Sequence, residues 1–581
     1  MKLIPYGQSN YKTVATQNFY YVDKTRYIEV LEQMSTRFLV FLRPRRFGKS
    51  LFVSMLRHYY DRNRQDEFET LFGQTYIGRH PTPLRNHYPV LFFTFSGIRT
   101  YGTLEEMIES FNLSINAKIR TFLYLNKAYL EMTDQEIEKI LSVQDGGNQV
   151  RELVDTLNLK EKSFYLLIDE YDNFGNNILA EYGKDAYLEV THGVGFLRSF
   201  FAVIKDGTLE GKIDRLFMTG VSPLVLADVT SGFNIGTNSS LFPALNAMVG
   251  FTQQETEAIL DYYIDAGVIK TEDRNACLAI METWYNGYIF SPDVTEQVYN
   301  SDMVLYFLNQ YLMYEHIPTD IVDENVRIDY GKLKFLIFLE KQLNGNFYML
   351  RDLMEHGQLQ GELIKSLAIG EDVDPDRFLS LLYFLGLTTI RSTDRLDITF
   401  MPPNTLIRKM LWEYLRKASE EAYDFRVTLY TIHKYFRELA LHGEWKGLLT
   451  YILEKFYQIA SARDFVFHEE GVKMFLLAYL NMANMFRVES EKSMNQGYSD
   501  IVIQPELAVY PEVRYSYLIE LKYLKSRDIN TENKKQERLR QAISKATDQI
   551  ERYAKQVEFA RPLKKIILIV SASEILAMEE V

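Results

Sequence analysis

Short, wholly apolar runs alternate with helix-patterned stretches between Phe38 and Leu226. Phe38–Leu42 is rich in strand formers and leads through a Gly-Lys-Ser turn into the helical spacing of Leu51–Tyr60. Val90–Phe95, Phe164–Ile168 and Leu216–Thr219 repeat the pattern, each stopping at polar or turn residues. Strands buried on both faces read as continuous apolar runs, so this region predicts a mostly parallel sheet flanked by helices. From Phe251 to about Gly443 the character changes. Gln254–Ala266, Asp302–Tyr314 and Asp376–Phe384 keep helical spacing and β-like pieces are few, which predicts a helical lid and connector region. From Trp445 the predicted order is helix, strand, strand, strand, helix, strand, with Ile566–Val570 as the last strand. The chain therefore reads as α/β in three parts, 1–250, 251–444 and 445–581, with no short-period repeat.

Composition narrows the class. At 47% apolar and 25% charged residues over 581 positions, the chain is globular and wholesale disorder is excluded. Cys277 is the lone cysteine, so no intrachain disulfide can form, and it reads as a small buried hydrophobe. No run reaches the ~20 apolar residues of a membrane span. The first residues lack the apolar core of a secretory signal. A cytoplasmic protein with no membrane partner is expected.

Charge is placed unevenly. The net value of −13 argues against a protein that coats nucleic acid with its whole surface. Yet Arg514–Lys565 holds 14 basic residues against 7 acidic ones. Such a tract can hold phosphates, and it can equally be a solvated helix face.

The first candidate chemistry lies at Arg43-Pro44-Arg45-Arg46-Phe47-Gly48-Lys49-Ser50, between a strand and a helix. That is the context of a P-loop, in which backbone N–H groups and a helix N-terminus hold phosphate oxygens, a lysine reaches the terminal phosphates and a hydroxyl meets Mg²⁺. Gly48, Lys49 and Ser50 fit the second half of G-x-x-x-x-G-K-[ST], while Arg43 stands where the first glycine belongs. Phe164–Ile168 runs into Asp169 and Glu170, the Walker B pattern, with Asp169 expected to serve Mg²⁺ and Glu170 to orient the attacking water. Thr219, at the end of a further strand, is expected near the terminal phosphate, and it also reads as an ordinary strand-end hydroxyl. Arg45 and Arg46 can pair with phosphates or with acids such as Asp23.

These segments, with Tyr21-Val22-Asp23-Lys24-Thr25, Ile168-Asp169-Glu170-Tyr171-Asp172 and Thr219-Gly220-Val221-Ser222, resemble the bacterial AAA-ATPase-like proteins. Gly250-Phe251-Thr252 and Trp284-Tyr285-Asn286-Gly287-Tyr288 extend the resemblance over almost the whole chain. It implies an AAA+-like P-loop NTPase sheet, ATP as ligand, and a PD-(D/E)XK nuclease-like α/β domain at the C-terminus. The Arg-Pro-Arg-Arg-Phe loop is that family's own variant.

The C-terminal part carries matching chemistry. Asp500 opens one apolar run, and Glu520 and Lys522 lie in the next. Residues i and i+2 of a strand share a face, so Glu520 and Lys522 point the same way, and Asp500 meets them if the strands are neighbours. Two carboxylates with water and backbone oxygens suit Mg²⁺ or Mn²⁺, and Lys522 can orient a nucleophile. This is the D…E-x-K arrangement of PD-(D/E)XK phosphodiesterases. Gln549 and Tyr553 resemble the Q-x-x-x-Y element of one nuclease branch, and Glu470 or Glu491 is a candidate for an additional acid. Lys534, Lys535, Arg538 and Arg540 are candidates for sequence-independent contacts to a nucleic-acid backbone. Trp284–Tyr288 reads as an aromatic turn that packs the lid, and the nine histidines show no metal-ligand spacing.

Two functions follow as expectations. In the first, ATP binding and hydrolysis control an attached Mg²⁺-dependent nuclease acting on DNA or RNA, as a monomer or an oligomer. In the second, the protein is a non-catalytic, nucleotide-dependent switch whose nuclease fold only binds. An ATP-driven motor lacks any helicase motif.

Overall fold

The computed structural model describes residues 1–581 except 194, 230–235, 327–337, 340, 341, 344, 368–374, 395, 396, 423, 424, 461–468, 491–499 and 557. The chain forms two compact units. One comprises Met1–Arg274, Tyr285–His316 and Gln360–Pro403; the other comprises Asn275–Trp284, Ile317–Leu359 and Asn404–Val581. The stretch 251–444 thus contributes to both.

The first unit is built on a parallel sheet of β1 (Phe38–Leu42), β2 (Val90–Thr94), β3 (Phe164–Asp169), β4 (Ile213–Gly220) and β5 (Thr237–Asn238), in the order β2-β3-β4-β1-β5. All six residues of β3 are buried, which is why the strand carries no polar alternation. The apolar runs read from the sequence fall on β1 to β4, and the parallel α/β expectation holds. Helix α1 (Lys49–Tyr60) leaves the end of β1 through the loop 43–48. Helix α2 (Ser301–Tyr314) begins at the N-cap Asn300, whose side chain accepts from the Met303 N–H. Aromatic residues fill the space between sheet and helices. Phe95, Phe111 and Phe200 meet edge to face, with centroids 5.2–6.0 Å apart, the geometry their ring quadrupoles favour.

The Trp284–Tyr288 segment is buried, as an aromatic packing element should be. Gly287 sits at φ +94°, and a side chain there would collide with the Pro403 carbonyl. The region after Phe251 also contains strands that helical spacing did not announce: Leu359–Gly361, Thr389–Asp394 and Asp397–Met401 form a small sheet. They are short and half-exposed, so they lack an apolar run of strand length.

The second unit carries a mixed sheet of β6 (Phe486–Ser490), β7 (Ile501–Pro505), β8 (Ser516–Leu524), β9 (Leu563–Ser571) and β10 (Ile575–Glu580), hydrogen-bonded in chain order. The β8–β9 pair is parallel and the others antiparallel. Helix α3 (Glu469–Leu480) precedes the sheet. Helix α4 (Glu532–Ala554) supplies the crossover that a parallel pair requires. Ile566–Val570 is not the last strand. Ser571 closes a tight turn by accepting from the N–H groups of Ser573 and Glu574, and β10 returns as a half-exposed edge strand whose short apolar run, Ile575–Met578, ends at Glu579.

Candidate functional site

Two clusters of chemistry-bearing side chains emerge, one in each unit. In the first, the carboxyl ends of β1, β3 and β4 converge, the place where open parallel sheets bind ligands. Gly48 is the N-cap of α1 and has φ +92°, a left-handed conformation that glycine adopts without strain. No side chain caps this helix, so its first N–H groups remain available to an anion. Lys49 is buried and donates to the carbonyls of Arg43 at 2.9 Å and Pro44 at 2.8 Å. Burial pulls its ammonium down to about 8, against the fields of Asp169, Glu170 and Asp172. Ser50 follows, half-buried, in the first turn.

At the end of β3, Asp169 accepts a 2.5 Å hydrogen bond from the Thr219 hydroxyl on β4. Glu170 has φ +53°, and burial together with the Asp169 charge raises its carboxyl above the ordinary range. A carboxyl that hesitates to ionise beside a lysine suits proton exchange with water.

Arg43 does not face a phosphate position. Its guanidinium is 2% exposed and donates to the carbonyls of Leu42, Ser240 and Leu245 at 2.7–2.9 Å. It lies between the rings of Phe41 and Phe290, 4.3 and 4.2 Å from their centroids. Burial drags its pKa down to about 9. The side chain braces the start of the loop from beneath. Arg46, with φ +68°, pairs with Asp302 at 2.9 Å. Asp23, offered by the sequence as a partner for these arginines, instead accepts from the Thr25 N–H and hydroxyl and the Tyr76 N–H.

In the second unit, Asp500 stands immediately before β7 and accepts a 2.7 Å bond from the Leu521 N–H of β8. Leu521 lies between Glu520 and Lys522, so the three charged side chains gather at one place. Lys522 donates to Glu520 Oε1 at 2.7 Å. Glu520 is 1% exposed, and its Oε2 is buried without a hydrogen-bond partner. Burial, then the Asp500 charge, pushes its carboxyl up to about 7. Burial alone would lower Lys522, but the hydrogen bond to Glu520 and the charges of Glu520, Asp500 and Glu469 raise it. An orphaned carboxylate oxygen beside a second carboxylate is a donor set for a hard divalent cation. Among the described residues no three His, Cys, Asp or Glu side chains form a ready-made cage, so water and backbone oxygens would complete the shell.

Residues 5–230 match the model of the AAA-ATPase-like family, described as a predicted AAA-ATPase. Residues 467–575 match that of the PD-(D/E)XK nuclease superfamily. The chain carries an AAA-ATPase-like domain and a PD-(D/E)XK nuclease-superfamily domain. It is also 28% identical, over 55% of its length, to an uncharacterized protein in the vnfD 5′ region of Azotobacter chroococcum, and the match spans 56% of that protein. The Walker-type ATPase PABY2304 of Pyrococcus abyssi aligns in structure with a TM-score of 0.39 and 13% identity, over 67% of this chain and 94% of that one.

In the nuclease-superfamily domain, the helix acid coupled to the cluster is Glu469. Burial and the Asp500 charge raise its carboxyl, and Lys522 and Lys473 act against them. Glu470 is exposed, and its charge acts on Arg351 and Glu355. Glu491 lies outside the described residues. Lys473, one turn after Glu469, is buried with its ammonium 3.9 Å from Asp500 Oδ1. Sequence spacing held no signal for it, because α3 is apolar around Lys473 and its phase against the sheet is set by packing. Tyr553 of α4 packs with Ile550 on Val502 and Leu518. By strand alternation Leu518 shares its face with Glu520, so the helix bearing Gln549 and Tyr553 covers the face that carries the cluster. Lys534, Arg538 and Arg540 are exposed on α4, whereas Lys535 pairs with Glu574 at 2.7 Å.

In the AAA-ATPase-like domain, sequence reasoning missed Asp172 and Gly220. Asp172 is buried and accepts from the N–H groups of Val221 and Ser222, tying the segment after β3 to the one after β4. Any side chain at Gly220 would strike the Tyr171 ring and meet Asp172 Oδ1 at 2.6 Å. Both stood in segments that carry the family resemblance, but local sequence assigned neither a role. No helix among the described residues is long and apolar enough to cross a membrane.

Proposed function

We propose that the protein binds and hydrolyses ATP at its P-loop and that its nucleotide state controls a Mg²⁺-dependent nuclease acting on DNA or RNA in the cytoplasm. The observation that carries the nuclease reading is the Glu520 carboxyl, buried with an unpartnered oxygen and tied to Lys522 beside Asp500. Unpaired buried polar atoms are costly, so a fold that keeps one at a carboxylate cluster has a use for it.

A bound Mg²⁺ would be held by Asp500 and Glu520 and would supply an acidified water and charge neutralisation at the scissile phosphate. Lys522 keeps Glu520 oriented and presents an ammonium to the attacking oxygen. Glu469, with its raised carboxyl, takes up or releases a proton at the same place. The exposed Lys534, Arg538 and Arg540 give backbone contacts without sequence choice. At the nucleotide site, Gly48, Lys49 and the start of α1 cradle the phosphates. Ser50 and Asp169 would hold the Mg²⁺ that accompanies ATP, Thr219 fixes Asp169, and Glu170 would orient water.

The test is cleavage of labelled single- and double-stranded DNA and RNA with and without Mg²⁺ and ATP. Metal-dependent cleavage that Asp500→Ala abolishes and that ATP or a non-hydrolysable analogue modulates supports the proposal. Cleavage indifferent to nucleotide removes the control. The Lys522 ammonium, already seated on Glu520 Oε1 where a cation would bind, favours a second reading, a nucleotide-dependent switch whose nuclease fold only binds nucleic acid. That reading requires binding without cleavage in the same assay.

A further inference from the structure

The rim of the phosphate loop is docked onto chain that follows the sheet. Phe47 is buried, its carbonyl accepts from the Gly250 N–H at 2.9 Å, and its ring meets Tyr288 and Phe290 edge to face. The Arg46 carbonyl receives the Asp302 N–H at 3.3 Å and the Ser301 hydroxyl at 3.5 Å. On top of these backbone contacts lies the ion pair of the Arg46 guanidinium with Asp302 Oδ2 at 2.9 Å.

Arg46 lies two residues before Gly48, within a side chain's reach of any phosphate seated on α1. A guanidinium is a planar fork that accepts a carboxylate or a phosphate on similar terms, so Asp302 occupies the cation that a nucleotide would engage. Asp302 can release it at modest cost. It sits in the first turn of α2, where the helix N-terminus stabilises a negative charge, and both side chains keep some solvent exposure.

Resting on the nucleotide-binding reading, we propose that Asp302 is a specificity-determining residue of the phosphate site, holding Arg46 and ceding it only to the terminal phosphate of a nucleoside triphosphate. A diphosphate, one phosphate shorter, does not draw Arg46 away. The ion pair is thus a competitor that each triphosphate must displace and a diphosphate leaves intact.

The experiment is a double-mutant cycle on the full chain, read as Kd for fluorescent ATP and ADP analogues. Asp302→Asn removes the competitor and should tighten ATP binding by about fivefold, the upper range for a partly exposed pair, with ADP changed by less than about twofold. Arg46→Ala should weaken ATP more than ADP, and Asp302→Asn added to Arg46→Ala should do nothing further. A merely structural Asp302 would weaken both nucleotides alike, and that result overturns the proposal. So does an Asp302→Asn effect that survives Arg46→Ala. If Asp302→Asn does not fold, Arg46→Ala alone decides: equal losses for ATP and ADP overturn it. Wild type that binds neither nucleotide overturns the nucleotide reading as well.

Discussion

Asp500 is hydrogen-bonded through Oδ2 to the backbone N–H of Leu521, 2.7 Å away, and that bond places its carboxylate beside Glu520. The two acids are 20 positions apart in sequence and are joined by the pairing of β7 with β8. Asp500 is fixed by a main-chain donor, whereas Glu520 spends one oxygen on Lys522 and leaves the other unpaired.

The Glu520 carboxyl predicts a pH signature. Its folded pKa of about 7 lies above the unfolded value of 4.5, so the native state binds the extra proton between them and stability falls as pH rises through that window. The full effect corresponds to roughly 3 kcal/mol above pH 7. Glu520→Gln cannot ionise and should unfold at a higher temperature than wild type at pH 8 in EDTA. The gap should close below about pH 4.5. Lys522 loses a charged partner in the variant, so the measured gain should be smaller than the full amount. Thermal unfolding by circular dichroism across this range checks it.

Lys49 predicts a loss of nucleotide binding at higher pH. Its ammonium is held down to about 8, so in the free protein the charge fades as pH passes that value, and affinity for a phosphate should decline there. Lys49→Met should abolish this dependence and weaken ATP by at least about tenfold, as expected for loss of a charge-assisted bond. Titrations of a fluorescent analogue between pH 6.5 and 9 resolve both effects.

Restoring the glycine that a standard phosphate loop carries should harm this protein. Arg43→Gly removes three hydrogen bonds and the filling between Phe41 and Phe290, leaving buried carbonyls unpaired. A loss of about 3 kcal/mol or more is expected, read from denaturant unfolding. A variant as stable as wild type would show that the brace contributes little.

Thr219→Val separates binding from turnover. The substitution keeps the shape of the strand end but removes the donor to Asp169. ATP affinity should change by less than about threefold, while steady-state hydrolysis should drop by about tenfold or more, since a freed Asp169 no longer holds its position. Equal losses in both would assign Thr219 to binding.

The parts of this molecule written in local sequence were readable. Phe38–Leu42 announced a strand because every residue in it is apolar, and Glu520 and Lys522 announced a shared face because strands alternate. What the pattern could not show depends on distance or packing. Asp302 meets Arg46 across 256 residues, and Arg43 turns inward only because Ser240 and Leu245 offer carbonyls there. The choice between Glu469 and Glu470 is one helical step of about 100°, set by how α3 lies on the sheet. β10 escaped notice because its apolar run, Ile575–Met578, is short and follows β9 after a turn of only three residues.

Whether Asp500 and Glu520 share a divalent cation is decided by calorimetric titration of Mn²⁺ and Mg²⁺ into wild type, Asp500→Asn and Glu520→Gln in the absence of nucleotide. A shared cation gives one saturable site in wild type, tightening as pH rises through 7, that either substitution abolishes. Heat from the nuclease domain that is absent in wild type, or that persists unchanged in both variants, would contradict it.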